Sequence, residues 1–387
     1  MMNTNTALPL SPPLEAPAAP KQTPFQAVWR LFRKNRMAGI GLVIFIAFFG
    51  IALLGLALTS GQAPALDPSL IRLQEKLRPP LSKATLETLR PEEVPPFEYY
   101  FFGTDDLGRD VFARMLQGAW VSLTVGFVAV GISVLIGIFL GGIAGYYGQQ
   151  SITIHHLLLS IFLLTGLGLS IATLPFQAAG AFLGCALLLF IRYRHSHSKK
   201  RPSRFQSFLA SPTMTIDTFI MRLVDIMLCF PSFFLILTVV ALLPASIYNI
   251  MIIIGLTSWM GTTRFVRAEF LSLRELDFVS AARALGVGNF RIIFRHIMPN
   301  AIAPVLVSAT IGIAGAILTE AGLSFLGFGV PPPHATWGNI LSDGKRFIFD
   351  APWLTFIPGT AILVVVLAFN LFGEGLRDAL NPRLRER

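Results

Sequence analysis

His155 and His156 stand side by side, and His195 and His197 flank a serine. Imidazoles suit metal binding or proton transfer. Neither pair has a cysteine or carboxylate close by, so both are read as interfacial residues and no metal site is expected. Glu320 lies within an apolar stretch, where an acid is a functional candidate, although a structural hydrogen bond is its simpler role. Arg222 and Asp225, three apart, most simply neutralise each other. Gly344-Lys345-Arg346 lacks the upstream glycine spacing and the hydroxyl of a phosphate loop, and neither His-Glu-x-x-His nor Gly-x-Ser-x-Gly occurs. The chain is therefore not read as an enzyme, and it is expected to bind no cofactor.

The elements that carry these residues are set by charge. Asp, Glu, Lys and Arg make up only 13% of the 387 residues, against about 25% in soluble domains, and the mean hydropathy is +0.65. Residues 37–60 hold no such charge, and neither do residues 115–191, 226–263, 296–319 and 351–373. About 20 apolar residues cross a bilayer, so the chain reads as an all-α polytopic membrane protein. Its net charge of +10 could suggest nucleic acid, but the basic residues are spread over separate loops and follow the positive-inside bias instead. Residues 1–36, the loop 192–204, the segment 264–299 and the tail from Arg377 are basic, which places them and both termini in the cytoplasm. The loop 60–118 carries more acid than base and lies outside. Cys185 and Cys229 both sit in apolar runs, so no disulfide is expected.

The expected spans are about 38–59, 119–146, 216–242, 247–263, 301–326 and 353–373. An extra hairpin, 152–171 and 176–191 around Pro175, brings the total to about eight, with a re-entrant pair as the alternative because 176–191 is short for a full span. The stretch from Trp29 to Lys34 reads equally as a short interfacial helix with Trp29 and Phe32 in the headgroup layer and as a plain flanking anchor ahead of the first span. The second span, with Gly126, Gly131, Gly137, Gly141, Gly142 and Gly145, belongs at the bundle centre, because small residues allow close helix approach. Tyr146 and Tyr147 then form an aromatic belt. Residues 60–98 read as a loop with little core. Thr104 or Asp105 can start a helix, and Asp110 and Arg114 are spaced as an i,i+4 pair.

Between the sixth and seventh of these spans the chain is too polar to cross and too patterned to be a tether. Leu273, Leu276, Val279, Ala282 and Leu285 fall on one helical face. Gly286 and Gly288 stop that helix, Asn289 caps a second, and Pro299 closes it. A short amphipathic helix held between spans suits insertion into a groove on a soluble partner, or lying on lipid.

The run Ser280-Ala281-Ala282-x3-Gly286-x12-Pro299 resembles the coupling loop of ABC-importer permeases, with Ser280 where that family has Glu. Phe102-Gly103-Thr104-Asp105-Asp106-Leu107-Gly108-Arg109-Asp110-Val111 resembles the stretch before the second span in the dipeptide/oligopeptide branch. Glu320 to Gly327, with Trp337-Gly338-Asn339, resembles its later segment. The similarity covers about 25–150 and 212–385, leaving out 151–211. It implies a six-helix type I importer core in the bacterial inner membrane, paired with a second homologous permease. It further implies two ABC ATPase subunits that carry ATP and Mg, and an external substrate-binding protein. The cargo would be di- or oligopeptides, with nickel chelates or glutathione as alternatives and a secondary transporter as the rival class. The resemblance assigns ATPase coupling to Leu276, Val279, Ser280, Ala281, Ala282, Leu285 and Gly286, and external gating or docking to Asp105, Asp106, Arg109 and Asp110. Asn249, Ser258 and Glu320, polar groups within the apolar runs, are the candidates to line the path.

Overall fold

In the computed structural model, residues 29–30, 32–61, 64–87, 89–154, 158–159, 162–163, 165–166, 180–186 and 211–380 are described. His155, His156, His195, His197, Pro175 and the basic loop 192–204 lie outside the described residues. Among the described residues the fold is helical apart from two small strand pairs.

Asn35 opens α1 (Arg36–Thr59) by accepting a hydrogen bond from the backbone N–H of Ala38. Phe32 is buried edge-on to Phe372, with Ala38 and Ala379 around it. Asp110 opens α2 (Val111–Tyr147), accepting from Phe112 N at 2.8 Å. At 1.5 Å per residue this helix is about 55 Å long. It starts eight residues before the expected span, because the capped run 111–118 is helical as well.

The segment joining α1 to α2 is better ordered than its composition suggests. Two short strands, β1 (Ser82–Lys83) and β2 (Tyr99–Tyr100), pair antiparallel. Beneath them Ala84, Leu89 and Tyr100 form a small core, and Arg72 and Glu75 are buried.

After α2, strands β3 (Ser151–Thr153) and β4 (Pro212–Thr215) pair antiparallel, joining Ser151 to Thr215. Both ends of the 154–211 segment therefore leave from one point. Within it Cys185 Sγ donates to Leu159 O at 3.5 Å, and Phe162 packs on Gly184.

The expected single span 216–242 is broken. α3 (Ile216–Leu228) and α4 (Ser232–Leu242) meet at 77°. Pro231 lacks an N–H and disfavours helical backbone in the residue before it, so the helix cannot run through. α5 (Ile247–Leu256) and α6 (Trp259–Arg274) follow, then α7 (Asp277–Ala284). Gly286 ends α7 at φ +74, with Val287 N bonded back to Ala282 O.

α8 (Asn289–Phe325) begins behind Gly288 with no side-chain cap, so Asn289 does not cap it. Pro299 does not close this helix. A π-helical stretch over Ile292–Ile297 precedes it, and the missing donor is absorbed in that widened turn. α9 (Trp337–Gly344) starts from a capping box between Thr336 and Asn339. α10 (Trp353–Leu380) runs beyond the expected end.

Among the described residues four helices are long and apolar enough to cross a membrane, or five if α3 and α4 count as one bent span. α2 is the central one, packed against α1, α3, α5, α6, α8 and α9. Its glycines explain this. A Cβ on Gly137, Gly141 or Gly145 would sit 2.6 Å from Thr262 Cβ, 2.6 Å from Thr263 O and 2.5 Å from Phe270 Cβ, all on α6. Spaced four apart, the three make a seam along which the backbones meet. Gly131 faces open space instead.

Candidate functional site: two polar clusters at the ends of α2

At the start of α2, Asp105 is fully buried and accepts from Leu107 N and Arg109 N, each at 2.9 Å. Its other oxygen is shared by Arg109 Nε, at 2.7 Å, and Arg114. Both guanidiniums also reach Asp343 on α9, at 3.1 Å and 2.9 Å. Two Arg and two Asp thus form a ring across elements. The i,i+4 pair expected between Asp110 and Arg114 does not form: Asp110 spends its carboxylate on the helix cap, and Arg114 turns to Asp105 and Asp343.

The ring is tied to its surroundings. Arg114 extends to Asn339 Oδ1, which also accepts from Thr336 N at 3.0 Å. Thr104 Oγ1 donates to Glu75 O and accepts from Arg78 N at 2.8 Å, and Trp353 Nε1 donates to Thr104 O at 3.2 Å. Burial pushes Glu75 up, but hydrogen bonds from Arg78 and Thr85 outweigh this and hold it below the usual range. Burial pushes Asp110 up to about 6, raises Asp106 with help from Asp105 and Asp343, and drives Tyr100 to about 12. Of the four docking candidates, Asp105 and Asp110 are consumed internally, while Asp106 and Arg109 keep partial exposure.

Glu320 is fully buried. It accepts from Ser324 Oγ at 2.6 Å and from Ser122 Oγ of α2 at 3.3 Å, so its carboxyl faces its own subunit and reaches no surface. Asn249 donates to Pro244 O at 2.8 Å, and the exposed Ser258 to Ile254 O at 2.6 Å. Thr124, Thr238, Thr257 and Thr310 likewise bond to the carbonyl one turn back on their own helices. These hydroxyls are spent on backbone rather than presented to a ligand. Asp225 pairs with Arg264 at 2.6 Å more closely than with Arg222 at 3.9 Å, because α6 brings Arg264 across from another element.

At the far end of α2 lies α7. Val279 and Ala282 are buried against Val266, Phe270, Tyr146, Ile292 and Ile297. Leu276, Ser280, Ala281, Leu285 and Gly286 are exposed, Leu285 at 83%. The face read as one apolar stripe is therefore divided. Val279 and Ala282 hold the helix to its own chain, Leu273 packs half-buried on the same cluster, and Leu276 and Leu285 look outward. Tyr146 is also buried rather than part of a belt.

A sequence profile described as the binding-protein-dependent transport system inner membrane component matches residues 207–386. A second, the N-terminal TM domain of oligopeptide transport permease C, matches 23–80. The dipeptide transport system permease protein of Alkalihalophilus pseudofirmus is 35% identical over 389 residues, 99% of this chain and 100% of that one. The chain belongs to this permease family. Its namesake in Haemophilus influenzae is 33% identical, covering 95% of this chain and 97% of its own. The oligopeptide transport system permease protein of Bacillus subtilis is 30% identical, at 92% and 88%. The permease is thus a multi-pass membrane protein.

Local sequence pointed to both ends of α2 but not to the partners there. Asp343, Arg274 and Tyr146 lie far along the chain from the groups they meet, and no local motif marks them.

Proposed function

We propose that the permease forms half of the membrane path of an ATP-driven importer of di- or oligopeptides. The observation that carries this is α7: a short helix anchored by Val279 and Ala282, with Leu276, Ala281 and Leu285 free to enter a partner, in a chain matched end to end by a dipeptide permease. A second, homologous permease completes the path. Two ABC ATPases bind ATP and Mg and grip α7, and an external binding protein docks near Asp106 and Arg109. The permease itself holds no nucleotide. Both termini and α7 are cytoplasmic. Eight crossings are made by α1, α2, a hairpin within 154–211, α3 with α4, α5 with α6, α8 and α10. The β3–β4 pairing supports the hairpin, because a segment that leaves and returns at one point crosses an even number of times.

Cargo choice rests with the binding protein. A peptide brings two terminal charges and several amides, and burying them unpaired is costly. The hydroxyls of Thr124, Thr257 and Thr310 are already bonded to their own helices, so a wide, wet passage suits the cargo better than a tight site. The test is reconstitution with a second permease, ABC ATPases and a binding protein of a dipeptide importer. ATP-driven dipeptide uptake that needs the binding protein supports the reading, and its absence overturns it. Exchanging the binding protein for one of different preference that still docks should change the cargo. If an Asn249→Ala substitution changes it instead, selection lies in the spans.

A further inference from the structure

Tyr146 occupies the last turn of α2, a helix remote in sequence from α7. Its hydroxyl donates to Asn289 Oδ1, at the start of α8, at 2.7 Å. The Arg283 guanidinium of α7 lies 5.4 Å from its ring centroid, within cation–π range. From the end of α6, Arg274 donates to the carbonyls of Gly145 and Tyr146 at 3.1 Å and 3.4 Å, placing a cation on the C-terminal end of α2. All three elements that enter, form and leave the α7 turn are thereby fastened to one residue and its neighbour. Without these contacts, a push on α7 would pass directly only to α6 and α8, to which it is joined covalently.

The packing below makes the attachment rigid. Gly145 meets Phe270, and Gly141 meets Thr263 and Val266, with no room for a side chain. Phe270 itself is fully buried. A displacement at Tyr146 therefore moves α2 as a rod, and interdigitated surfaces of this kind shift between discrete arrangements rather than stretch.

We infer that Tyr146 is a positioning residue for energy coupling: it transmits movement of α7 to α2 through its hydroxyl bond to Asn289 and the stacking of Arg283. The inference rests on the proposed importer function. The experiment measures peptide imported per ATP hydrolysed in the reconstituted four-component importer. Tyr146→Phe keeps the ring and loses one hydrogen bond, and the ratio falls about fivefold, the size of one such bond. Asn289→Ala gives the same fall, and the double variant falls no further. Asn289→Asp, which keeps an acceptor oxygen, restores the wild-type ratio.

A purely structural tyrosine would lower the melting temperature in Tyr146→Phe and leave the ratio alone, which overturns the inference, as does additivity in the double variant. Wild-type protein that fails to import peptide at all overturns the importer reading instead, so the two failures are separate.

Discussion

Arg114 of α2 and Asp343 of α9 meet at 2.9 Å, and the arginine is almost wholly buried while it also binds Asp105. Removing one member of a buried charge set strands the others. Asp105→Ala leaves both guanidiniums short of a partner and is expected to cost about 3–5 kcal/mol. Asp343 is one-third exposed, so Asp343→Asn should cost only about 1 kcal/mol. Thermal unfolding in detergent ranks the two, and equal losses would refute the ring as the holding element.

Asp110 caps α2 while burial raises its carboxyl to about 6. A raised folded-state value means that its stabilising contribution is complete below the ordinary carboxylate range and is lost as pH rises through about 6. Asp110→Asn keeps a cap without the charge. The variant should melt close to wild type at about pH 4, and its advantage should grow to about pH 6.5 and then level off. A constant difference across that range would contradict this.

The glycine seam can be separated from glycine in general. Gly145→Val forces Phe270 and the Arg267 carbonyl away from α2 and should destabilise by several kcal/mol, since the obstacle includes backbone. Gly131→Ala meets nothing and should stabilise by roughly 0.5–1 kcal/mol. Melting temperatures that move together would show that the seam does not hold α2.

Ala281 and Ala282 are neighbours with opposite roles. Ala281→Glu changes an outward surface and should abolish co-purification with the ATPase while leaving the melting temperature within a degree or two. Ala282→Glu puts a charge among Val279, Phe270 and Ile292 and should lower the melting temperature first. If Ala281→Glu still binds ATPase, the docking face lies elsewhere.

Ile154 N donates to Ser211 O at 3.3 Å, beside the β3–β4 pair. Replacing 155–210 by a short Gly-Ser turn should therefore preserve α2, α3 and the rest of the bundle, with uptake retained. Loss of uptake in a folded, inserted variant would make the segment part of the path.

The helices were legible wherever a charge-free run was long and uninterrupted, as in α1 and the later turns of α2. The α3–α4 break was written in Pro231 and was overridden by the apolar run around it. Pro299 misled in the opposite sense, because the π-helical turn before it absorbs the missing donor. At the candidate sites the position of α7 was readable from Val279, Ala282 and Gly286. Which face looked outward was not, since the buried side is set by Phe270 and Ile297, residues of other helices. The partners of Arg114 and Tyr146 depend on tertiary pairing, which no local spacing encodes.

The length of α2 bears on how the bilayer acts on this protein. A rod of about 55 Å exceeds the roughly 30 Å hydrocarbon layer, and it is held along its length by α1, α5, α6 and α8. α1 is the least covered of the four long apolar helices, with only 17% of its apolar window buried against 39% for α2. Membrane thickness is therefore felt at the rim, where α1 can tilt, while the axis keeps its length. Transport in vesicles of graded acyl-chain length should vary gently, through tilt at α1, and without a sharp optimum.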